Sequence, residues 1–301
     1  TMLIQKPKDL YERVLHKKED RIQYIVNHIE YFYGEYYKYK RDKAGNKRLN
    51  KEKYVKQFGI YWRRPINPPK DELKDLQKKI NGFLVNNIEF PDFIFGGVKN
   101  KDNIKNAYQH KGRKYVFQTD LKDFFPFITS KMVYNTLVEK GFSPDVASVI
   151  TKLTTFKGHL PQGAPTSTTL ANLVFLPTGL KLNEIAKQHN LRFTIFVDDV
   201  TFSSHNDFKH LTGNIISIIY KDGFKISRGK TTYKSDTSGK VEITGVAKYN
   251  NTLGITAKLR KKLSDTSQMK PESISGLISY AKRIKKFSNL SKRARRISYF
   301  L

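Results

Sequence analysis

Apolar residues recur at helical spacing near both ends of the chain. Near the start, the spacing predicts a helix over 9–31, with apolar positions at Leu10, Val14, Ile22, Ile25, Val26 and Ile29. Near the end, it predicts a helical tail over 256–301, whose apolar face contains Ile274, Leu277, Ile278, Ala281 and Ile284. Each pattern leaves the opposite face polar, so both segments are expected to pack on one side only.

Between these ends, short apolar runs bounded by turn residues predict β-strands. They lie at 114–120, on both sides of a hairpin at 192–204, within 222–233 and 241–251, and at the two ends of 31–69. Helical patterns alternate with them at 71–84, on either side of Pro144, after Ser167 and at 211–220. This mixture indicates an α+β fold.

Composition limits the class of protein. With 301 residues, 20 Phe and 17 Tyr, the chain has enough apolar material for a sizeable core and is unlike a disordered protein. It contains no Cys, which excludes disulfides and cysteine-bound zinc. No apolar run approaches the roughly 18 residues of a membrane span, and the first residues lack the apolar core of a signal peptide. We therefore expect a cytoplasmic protein with no membrane partner.

Charge points to a polyanionic partner. The formal net charge is +29, and nucleic acid is the first candidate for such a chain. The segment from Lys38 to Lys56 has nine Lys or Arg against two acids, and the tail from Thr256 has 13 against two. Solvated charge runs, or binding to acidic membranes or ribosomal RNA without chemistry, would also explain these numbers.

The stretch FVDD, residues 196–199, places two aspartates at the tip of the predicted hairpin. Tight hairpins prefer Asn-Gly or Asp-Gly, and adjacent carboxylates repel each other unless a cation or a proton intervenes. The tip is therefore either an ordinary solvated turn or a metal site, and this stretch alone leaves both open.

Two further signals stand elsewhere in the chain. Asp120 ends the predicted strand at 114–120 within QTDLKDFF, and LPQGAPTS at 160–167 forms a turn before a helix. Taken in order, these motifs resemble the reverse transcriptase palm, with Phe196 in FVDD where that family usually has Tyr. The resemblance covers roughly residues 30–300. It implies a right-hand polymerase fold with fingers, a ferredoxin-like palm and a short helical thumb.

The resemblance implies two-metal nucleotidyl transfer. Asp120 and Asp198 would bind two Mg²⁺ ions, with Mn²⁺ as an alternative, and Asp199 would be an outer ligand. The like charges of FVDD would then be balanced by cations. Phe196 and Val197 would lie at the primer and template, together with the later residues Ile243, Thr244 and Gly245.

The same resemblance implies a nucleotide site. Phe125 would exclude a 2′-hydroxyl and so select dNTPs, and Lys230 would act as general acid toward pyrophosphate, unless it is only a solvated surface lysine. Arg64 is the preferred phosphate clamp of the fingers, ahead of Lys43 and Arg48. The remaining predicted nucleotide contacts are Leu121, Lys122, Asp123, Phe124, Gln162 and Gly163.

Two short stretches narrow the resemblance to bacterial retron reverse transcriptases. NAYQH at 106–110 matches their Asn-Ala-x-x-His signature, and EITG at 242–245 matches Val-Thr-Gly with Ile243 replacing Val. Retron enzymes prime DNA synthesis from a 2′-hydroxyl of a cognate structured noncoding RNA, and make multicopy single-stranded DNA (msDNA) that stays joined to it. They take part in anti-phage defence, usually with a separate effector protein. The predicted RNA-binding residues are Asn106, His110, Lys282, Arg283, Lys285 and Lys286.

The resemblance divides the chain into an N-terminal helical segment, fingers, palm and thumb, at 1–30, 31–105, 106–254 (with finger helices at about 130–157) and 255–301. Two alternatives stay open. One is another bacterial reverse transcriptase, of the abortive-infection or diversity-generating type. The other is a catalytically inactive RNA-binding protein.

Overall fold

The computed structural model describes residues 4–39, 63–235, 240–249 and 251–289. Its α-helices are α1 Pro7–Asp9, α2 Glu19–Asn27, α3 Asp71–Asn87, α4 Asn103–Gln109, α5 Phe124–Phe127, α6 Ser130–Glu139, α7 Pro144–Thr154, α8 Ser167–Gln188, α9 Thr212–Lys221, α10 Ala257–Ser264 and α11 Pro271–Asn289. Its strands are β1 Tyr36–Tyr39, β2 Arg63–Ile66, β3 Tyr115–Asp120, β4 Arg192–Phe196, β5 Asp199–Ser204, β6 Thr232–Ser235, β7 Val241–Ile243, β8 Val246–Tyr249 and β9 Thr252–Gly254. Among the described helices, none is long and apolar enough to cross a membrane.

The chain divides into two compact units. One contains the residues up to Glu89 together with Phe125–Val174, and the other contains Phe90–Phe124 and the residues from Phe175 onward. Several sequence predictions are confirmed: the strand at 114–120, the hairpin at 192–204, the helix at 211–220 and the helical tail as far as Asn289. The first unit is mainly helical, and the second contains most of the strands.

The first unit is built on amphipathic helices. Helix α7 packs against α2, α3 and α6, and the facing side chains of α3 are fully buried at Leu73, Leu76, Ile80 and Leu84. A small antiparallel pair, β1 with β2, aligns Lys38 with Arg64. The predicted pair of strands at the ends of 31–69 is therefore confirmed, whereas Lys43 and Arg48 lie outside the described residues.

The single helix predicted over 9–31 is wrong. The chain forms α1, a π-helical turn at Leu10–Leu15, α2 and a 3₁₀ turn at Ile29–Phe32. His16 ends the first helical stretch with a φ of 51°, in the left-handed region, and its Nδ1 lies 2.8 Å from the Glu12 carbonyl oxygen. A residue in the left-handed conformation cannot continue a right-handed helix, so the helix breaks at His16. The helical spacing of apolar residues continues past this break, which is why the sequence predicted a single helix.

The second unit is organised around a four-stranded antiparallel sheet in the order β4-β5-β3-β6. Phe117 on β3 and Phe202 on β5 are buried at its centre, and Phe193 stacks on Phe202 with ring centroids 4.5 Å apart. These aromatic side chains fill one face of the sheet, which fixes the pairing of β3 with β5.

A second core lies beneath the three-stranded sheet β7-β8-β9. It brings α4, α10 and α11 together through buried side chains that include Ile104, Ile243, Leu259 and Ile284. The predicted apolar face of the tail is only partly correct, because Ile278 is 43% exposed. Leu277, Tyr280 and Phe287 pack against the core instead. Ile278 points away because the buried stripe of α11 follows positions 277, 280, 284 and 287.

Candidate active site

The register of β3 and β5 brings the predicted catalytic aspartates together. Asp120 is the last residue of β3 and lies directly across from Asp199, the first residue of β5. The Leu121 N–H donates to the Asp198 carbonyl oxygen at 2.8 Å, which holds the hairpin tip against the end of β3. Carboxylates from two positions far apart in sequence therefore converge at one end of the central strands.

The tip of this hairpin has an unusual backbone. Val197 has a φ of 60°, in the left-handed region that a β-branched residue rarely adopts. Gly96 packs closely against it, so that a Cβ at Gly96 would lie 2.5 Å from the Val197 nitrogen. A glycine is therefore required at 96, and the strained turn keeps the two aspartates at the end of the hairpin.

Electrostatics at the aspartates show that negative charge outweighs positive charge around Asp199. The pKa of Asp199 is raised to about 6, mainly by burial and also by the carboxylates of Asp198 and Asp120, while Lys230 acts in the opposite direction. Carboxylate oxygens are the ligands that Mg²⁺ prefers, so the donor set fits a divalent ion. Among the described residues no three acidic, His or Cys side chains are grouped as a finished metal site. Substrate phosphates would therefore have to complete the coordination, as is usual for Mg²⁺.

Asp120 has two partners from the loop before β6. The Lys230 Nζ donates to both oxygens of the Asp120 carboxylate at 2.6 Å, although the Lys230 side chain is largely exposed. Ser227 donates its hydroxyl to Asp120 Oδ1 at 3.0 Å, and its N–H donates to the Asp120 carbonyl oxygen at 2.7 Å. Sequence reasoning found Lys230 but missed Ser227, whose only signal is its place three residues earlier in GFKISRGKT.

The four residues after Asp120 differ in the solvent exposure of their side chains. The Leu121 and Phe124 side chains are buried, and the Phe124 ring packs edge-on against Phe175 at 5.8 Å. Lys122 and Asp123 are exposed, but the Lys122 N–H donates to the Lys225 carbonyl oxygen at 2.7 Å. The predicted main-chain contact to a triphosphate is corrected accordingly, because the Leu121 and Lys122 amides already have protein acceptors.

The LPQG turn belongs to the first unit. Gly163 has a φ of 99°, and a Cβ there would lie 3.1 Å from Ile66 Cγ2 at the end of β2. The Gln162 carbonyl oxygen accepts a hydrogen bond from the Asn67 N–H at 2.8 Å, and Ser167 donates to the Pro161 carbonyl oxygen at 2.6 Å. The turn therefore lies against the strand that carries Arg64, whose side chain is exposed.

A cavity of about 400 Å³ opens beside the aspartates in the second unit. We call it the aspartate cavity. Asp120, Asp199 and Lys230 line one part of it, and Thr244 and Gly245 line another. A polar cavity in contact with clustered carboxylates is the arrangement expected of a site that holds a charged substrate.

Comparison of the sequence with known protein families supports this architecture. The family described as "Reverse transcriptase (RNA-dependent DNA polymerase)" matches residues 55–256, a span that contains all three motifs. The chain belongs to the reverse transcriptase family. Reverse transcriptases use divalent metal ions, in agreement with the carboxylate donor set.

Comparison with individual curated proteins shows which reverse transcriptases the chain resembles. The chain is 32% identical over 193 residues to the Retron Se72 reverse transcriptase of Salmonella heidelberg, covering 61% of this chain and 50% of the relative. It is 30% identical over 202 residues to the Retron Ec86 reverse transcriptase of Escherichia coli, covering 66% and 63%. The predicted resemblance to bacterial retron enzymes is confirmed. The matched region spans about half to two thirds of the length of these relatives.

A solved structure supports the fold. Apo telomerase from Candida tropicalis superposes with a TM-score of 0.50 at 11% identity, over 80% of this chain and 53% of that one. At this identity the likeness concerns the fold alone. Together with the family match, it confirms the predicted right-hand polymerase fold.

The retron-like signatures of this reverse transcriptase meet in the second unit. Asn106 of NAYQH donates to Thr244 Oγ1 at 3.2 Å, and Asn103 donates to the Thr244 carbonyl oxygen at 2.9 Å and to the Tyr280 hydroxyl at 2.5 Å. Thr244 and Gly245 have φ values of 45° and 81°. The left-handed turn is thus held by α4 and linked to α11, and sequence reasoning missed the linking residues Asn103 and Tyr280.

Three predicted contacts with nucleic acid require correction. His110 is fully buried, with Nδ1 2.7 Å from Ser203 Oγ and Nε2 2.8 Å from Thr194 Oγ1. Asn106 and Ile243 are also buried, and Ile243 belongs to the second core. Buried side chains offer RNA or primer no surface. Asn106 and His110 therefore support the fold, and Ile243 anchors the turn that exposes Gly245.

The predicted basic face of the thumb is exposed. Lys282, Arg283, Lys285 and Lys286 all lie on the solvent side of α11, while Ile284 between them is buried. Arg283 also forms an ion pair with Asp102, the N-cap residue of α4. Three lysines of this face are thus exposed for polyanion binding, whereas Arg283 also anchors the helix.

The burial of His110 predicts a distinct acid sensitivity. The pKa of His110 is lowered to about 3, mainly by burial and also by the nearby cations Arg192, Lys248 and Arg113. Because the unfolded chain binds a proton near pH 6.5 and the folded chain does not, the stability contributed above pH 6.5 falls progressively toward pH 3. We expect the free energy of unfolding to lose up to about 1.4 kcal/mol per pH unit in this window.

Urea unfolding at pH 7.5, 6.5, 5.5 and 4.5 measures this contribution. In His110→Gln the slope against pH should become shallower than in the unsubstituted protein. His189→Gln, which changes an exposed histidine, is the matched control and should leave the slope unchanged. Equal slopes for His110→Gln and the unsubstituted protein would contradict a neutral buried imidazole.

Proposed function

We propose that this chain is a retron reverse transcriptase that copies part of its cognate noncoding RNA into msDNA, starting from a 2′-hydroxyl of that RNA. The observation that carries the proposal is the convergence of Asp120, Asp198 and Asp199 beside a polar cavity, which the EITG turn also lines. A catalytically inactive RNA-binding protein would have no need to gather three like charges in a partly buried place.

The carboxylates have separate proposed roles. Asp120 and Asp198 would hold two Mg²⁺ ions, and Asp199 would be an outer ligand. When bound, such ions make the attacking hydroxyl more acidic and stabilise the leaving pyrophosphate. Ser227 would keep the Asp120 carboxylate in place through its two hydrogen bonds at the end of β3.

Residues outside the carboxylate cluster are proposed to bind the incoming nucleotide. We propose Arg64 as a phosphate clamp, Gln162 and Gly163 as contacts to the nucleotide and template, and Asp123 as the first residue whose main chain can reach the triphosphate. Phe125, five residues after Asp120, would select dNTPs by occupying the space that a 2′-hydroxyl needs. Phe196 and Val197 would support the primer end.

Lys230 is proposed as the general acid that protonates pyrophosphate. Its Nζ lies 2.6 Å from both oxygens of Asp120, the carboxylate that is proposed to hold the ions. We expect Lys230→Met to slow single-turnover addition of one dNTP by about 100-fold, because general acids contribute about 10²–10⁴-fold. Lys230→Arg is the matched control that keeps the charge but is a very weak acid. Full activity of Lys230→Arg would show that the charge alone matters.

RNA binding is proposed for the thumb. The lysines of α11 are exposed on one face, and A-form RNA is recognised mainly through its shape, phosphates and 2′-hydroxyls. We propose fingers, palm and thumb at 31–105, 106–254 and 255–301, after an N-terminal helical segment at 1–30. Binding through lysines and arginines should weaken steeply with salt.

The biological setting is also a proposal. The resemblance to retron enzymes supports a cytoplasmic role in anti-phage defence, together with a separate effector protein. Co-purification of a second protein with the RNA-bound enzyme, and loss of phage protection in Asp198→Asn, would support this setting. Protection that persists without DNA synthesis would contradict it.

The nature of the DNA–primer link tests the proposed function. The protein is purified from its host, and the bound nucleic acid is treated separately with RNase and with protease. Single-stranded DNA whose mobility shifts after RNase treatment would support priming from RNA. DNA released only by protease would indicate protein priming, as in another class of bacterial reverse transcriptase, and would overturn the retron assignment. Absence of any DNA synthesis would favour the inactive RNA-binding alternative.

A further inference from the structure

A row of stacked side chains lies on the outer face of α2 and the turn that follows it. We call Arg21, Tyr24, His28 and Tyr31 the aromatic ladder. The Arg21 guanidinium lies 4.9 Å from the Tyr24 ring centroid, Tyr24 stacks on His28 at 4.4 Å, and His28 stacks on Tyr31 at 6.1 Å. Spacings of three and four residues place all four on one stripe.

The aromatic ladder is exposed to solvent and is not part of the hydrophobic core. Ile22 and Ile25 on the opposite face of α2 are fully buried, whereas Tyr24 is 48% and Tyr31 is 75% exposed. Of the large apolar side chains that are exposed among the described residues, half lie between Tyr24 and Tyr39. Such a concentration of exposed rings marks a binding surface rather than a packing surface.

The geometry of the ladder suits unpaired bases. Tyr24 and His28 are tilted by 29° to each other, and His28 and Tyr31 by 19°, so the rings form one nearly parallel row that ends at Tyr31, whose 75% exposed ring can continue the stack with a base. Every base has a flat π-face, and stacking on aromatic rings is a general way to bind single strands. Arg21 is fixed by two hydrogen bonds to Glu72 Oε2, at 3.0 and 2.7 Å, and its guanidinium extends the stack.

The charge distribution predicts how a single strand would bind to the ladder. The chain carries a net charge of +29, which attracts a polyanion to the protein as a whole. The segment 17–39 itself contains four Lys or Arg and four Asp or Glu. Its own contribution should therefore come from stacking on bases and depend little on salt, unlike contacts made with phosphates.

Hydrogen bonds connect the residues that follow the ladder to the LPQG turn. The Lys70 N–H donates to the Phe32 carbonyl oxygen, and the Gly34 N–H to the Pro68 carbonyl oxygen, each at 2.8 Å. In the same segment, the Asn67 N–H donates to the Gln162 carbonyl oxygen. We propose that the aromatic ladder is a second nucleic-acid site, where unpaired bases of the single-stranded template RNA stack. The choice of the template strand rests on the proposed function.

Binding of short oligonucleotides tests this site. The full chain is used in an Asp198→Asn background, so that no synthesis occurs. The probes are a fluorescent, unstructured 12-nucleotide RNA, a DNA of the same sequence and an RNA duplex. We expect Tyr24→Leu/Tyr31→Leu to weaken binding of both single strands by at least about tenfold, because stacking contributes about 1–3 kcal/mol per base. Binding of the duplex should change by less than about twofold.

Controls separate the ladder from general effects. Tyr220→Leu replaces an exposed tyrosine elsewhere and should leave all three affinities unchanged. The fold change caused by the double variant should be similar at low and high salt. In the unsubstituted protein, an RNA containing 5-iodouridine should form photocrosslinks to Tyr24, His28 or Tyr31. Unchanged single-strand affinity, equal loss for the duplex, or crosslinks only outside 21–31 would each overturn the proposal.

Failure of this inference and failure of the proposed function give different results. If the double variant binds single strands normally while the chain still makes DNA, only the ladder is misassigned. If the chain makes no DNA but the double variant loses single-strand binding, the second site stands and the polymerase proposal falls.

Discussion

Asp198→Asn should abolish nucleotide addition while leaving the protein folded. The amide keeps the size of the side chain but removes the charge that is proposed to hold the ions. Loss of metal-assisted charge stabilisation costs several kcal/mol, so we expect the single-turnover rate of dNTP addition to fall about 1000-fold or more. Rapid-quench measurement with a primed RNA template gives this rate directly.

The same substitution should leave the ion-free protein at least as stable. Asp198 raises the pKa of Asp199, as expected when two neighbouring carboxylates repel each other. Removing one charge relieves that repulsion, so the urea midpoint of Asp198→Asn should equal or exceed that of the unsubstituted protein. Equilibrium binding of Mn²⁺, followed by electron paramagnetic resonance, should weaken in the variant.

A matched control makes the test specific. Asp92 is almost fully exposed in the same unit, and its one described ion pair, with Lys101, is a long 3.7 Å. Asp92→Asn makes the same chemical change and should alter neither the rate nor Mn²⁺ binding. If folded Asp198→Asn retained the rate, the proposed two-metal mechanism would be refuted.

Local sequence signals were sufficient for the main elements of the site. Strands β3, β4 and β5 are short apolar runs bounded by polar residues, and that pattern is specific enough to place Asp120 and Asp198 at strand ends. The family motifs then indicated that these ends meet. Once β3 and β5 pair in the register that buries Phe117 and Phe202, Asp120 and Asp199 must face each other.

Long-range polar contacts were not predictable in the same way. Ser227 reaches Asp120 across 107 positions of sequence, and Asn103 reaches Tyr280 across 177. Single Ser and Asn residues in loops or at helix starts have no periodic signature. His110 was misread because a polar residue in a recognisable motif was expected to be exposed, whereas its partners Thr194 and Ser203 come from strands that only the folded sheet brings near.

Phe125→Val should admit ribonucleotides. Phe125 is half-buried in the short helix α5, next to Pro126, so its ring has a restricted position. A ring that fills the space of a 2′-hydroxyl discriminates by a steric clash, and shortening it removes the clash without creating a new contact. We expect the preference for dNTP over rNTP, measured as the ratio of kcat/KM values, to fall by about 100-fold.

Most of that change should come from faster use of rNTPs, with the kcat/KM for dNTPs falling only slightly. Phe127→Val is the matched control, because it makes the same change two residues later in α5. It should leave the ratio unchanged. An unaltered ratio in Phe125→Val, or an equal change in both variants, would remove Phe125 from the nucleotide site.

The proposed priming reaction makes this prediction more demanding. An enzyme that starts DNA synthesis from an RNA 2′-hydroxyl must accept a ribose at the primer position and reject one in the incoming nucleotide. If Phe125 acts only on the incoming sugar, Phe125→Val should leave the rate of the first dNTP addition to the RNA primer nearly unchanged, while rNTPs become substrates at every later step. A large loss confined to the first addition would instead assign the ring to the priming nucleotide. The two positions can therefore be separated by a single variant, with the first and later additions measured on the same RNA.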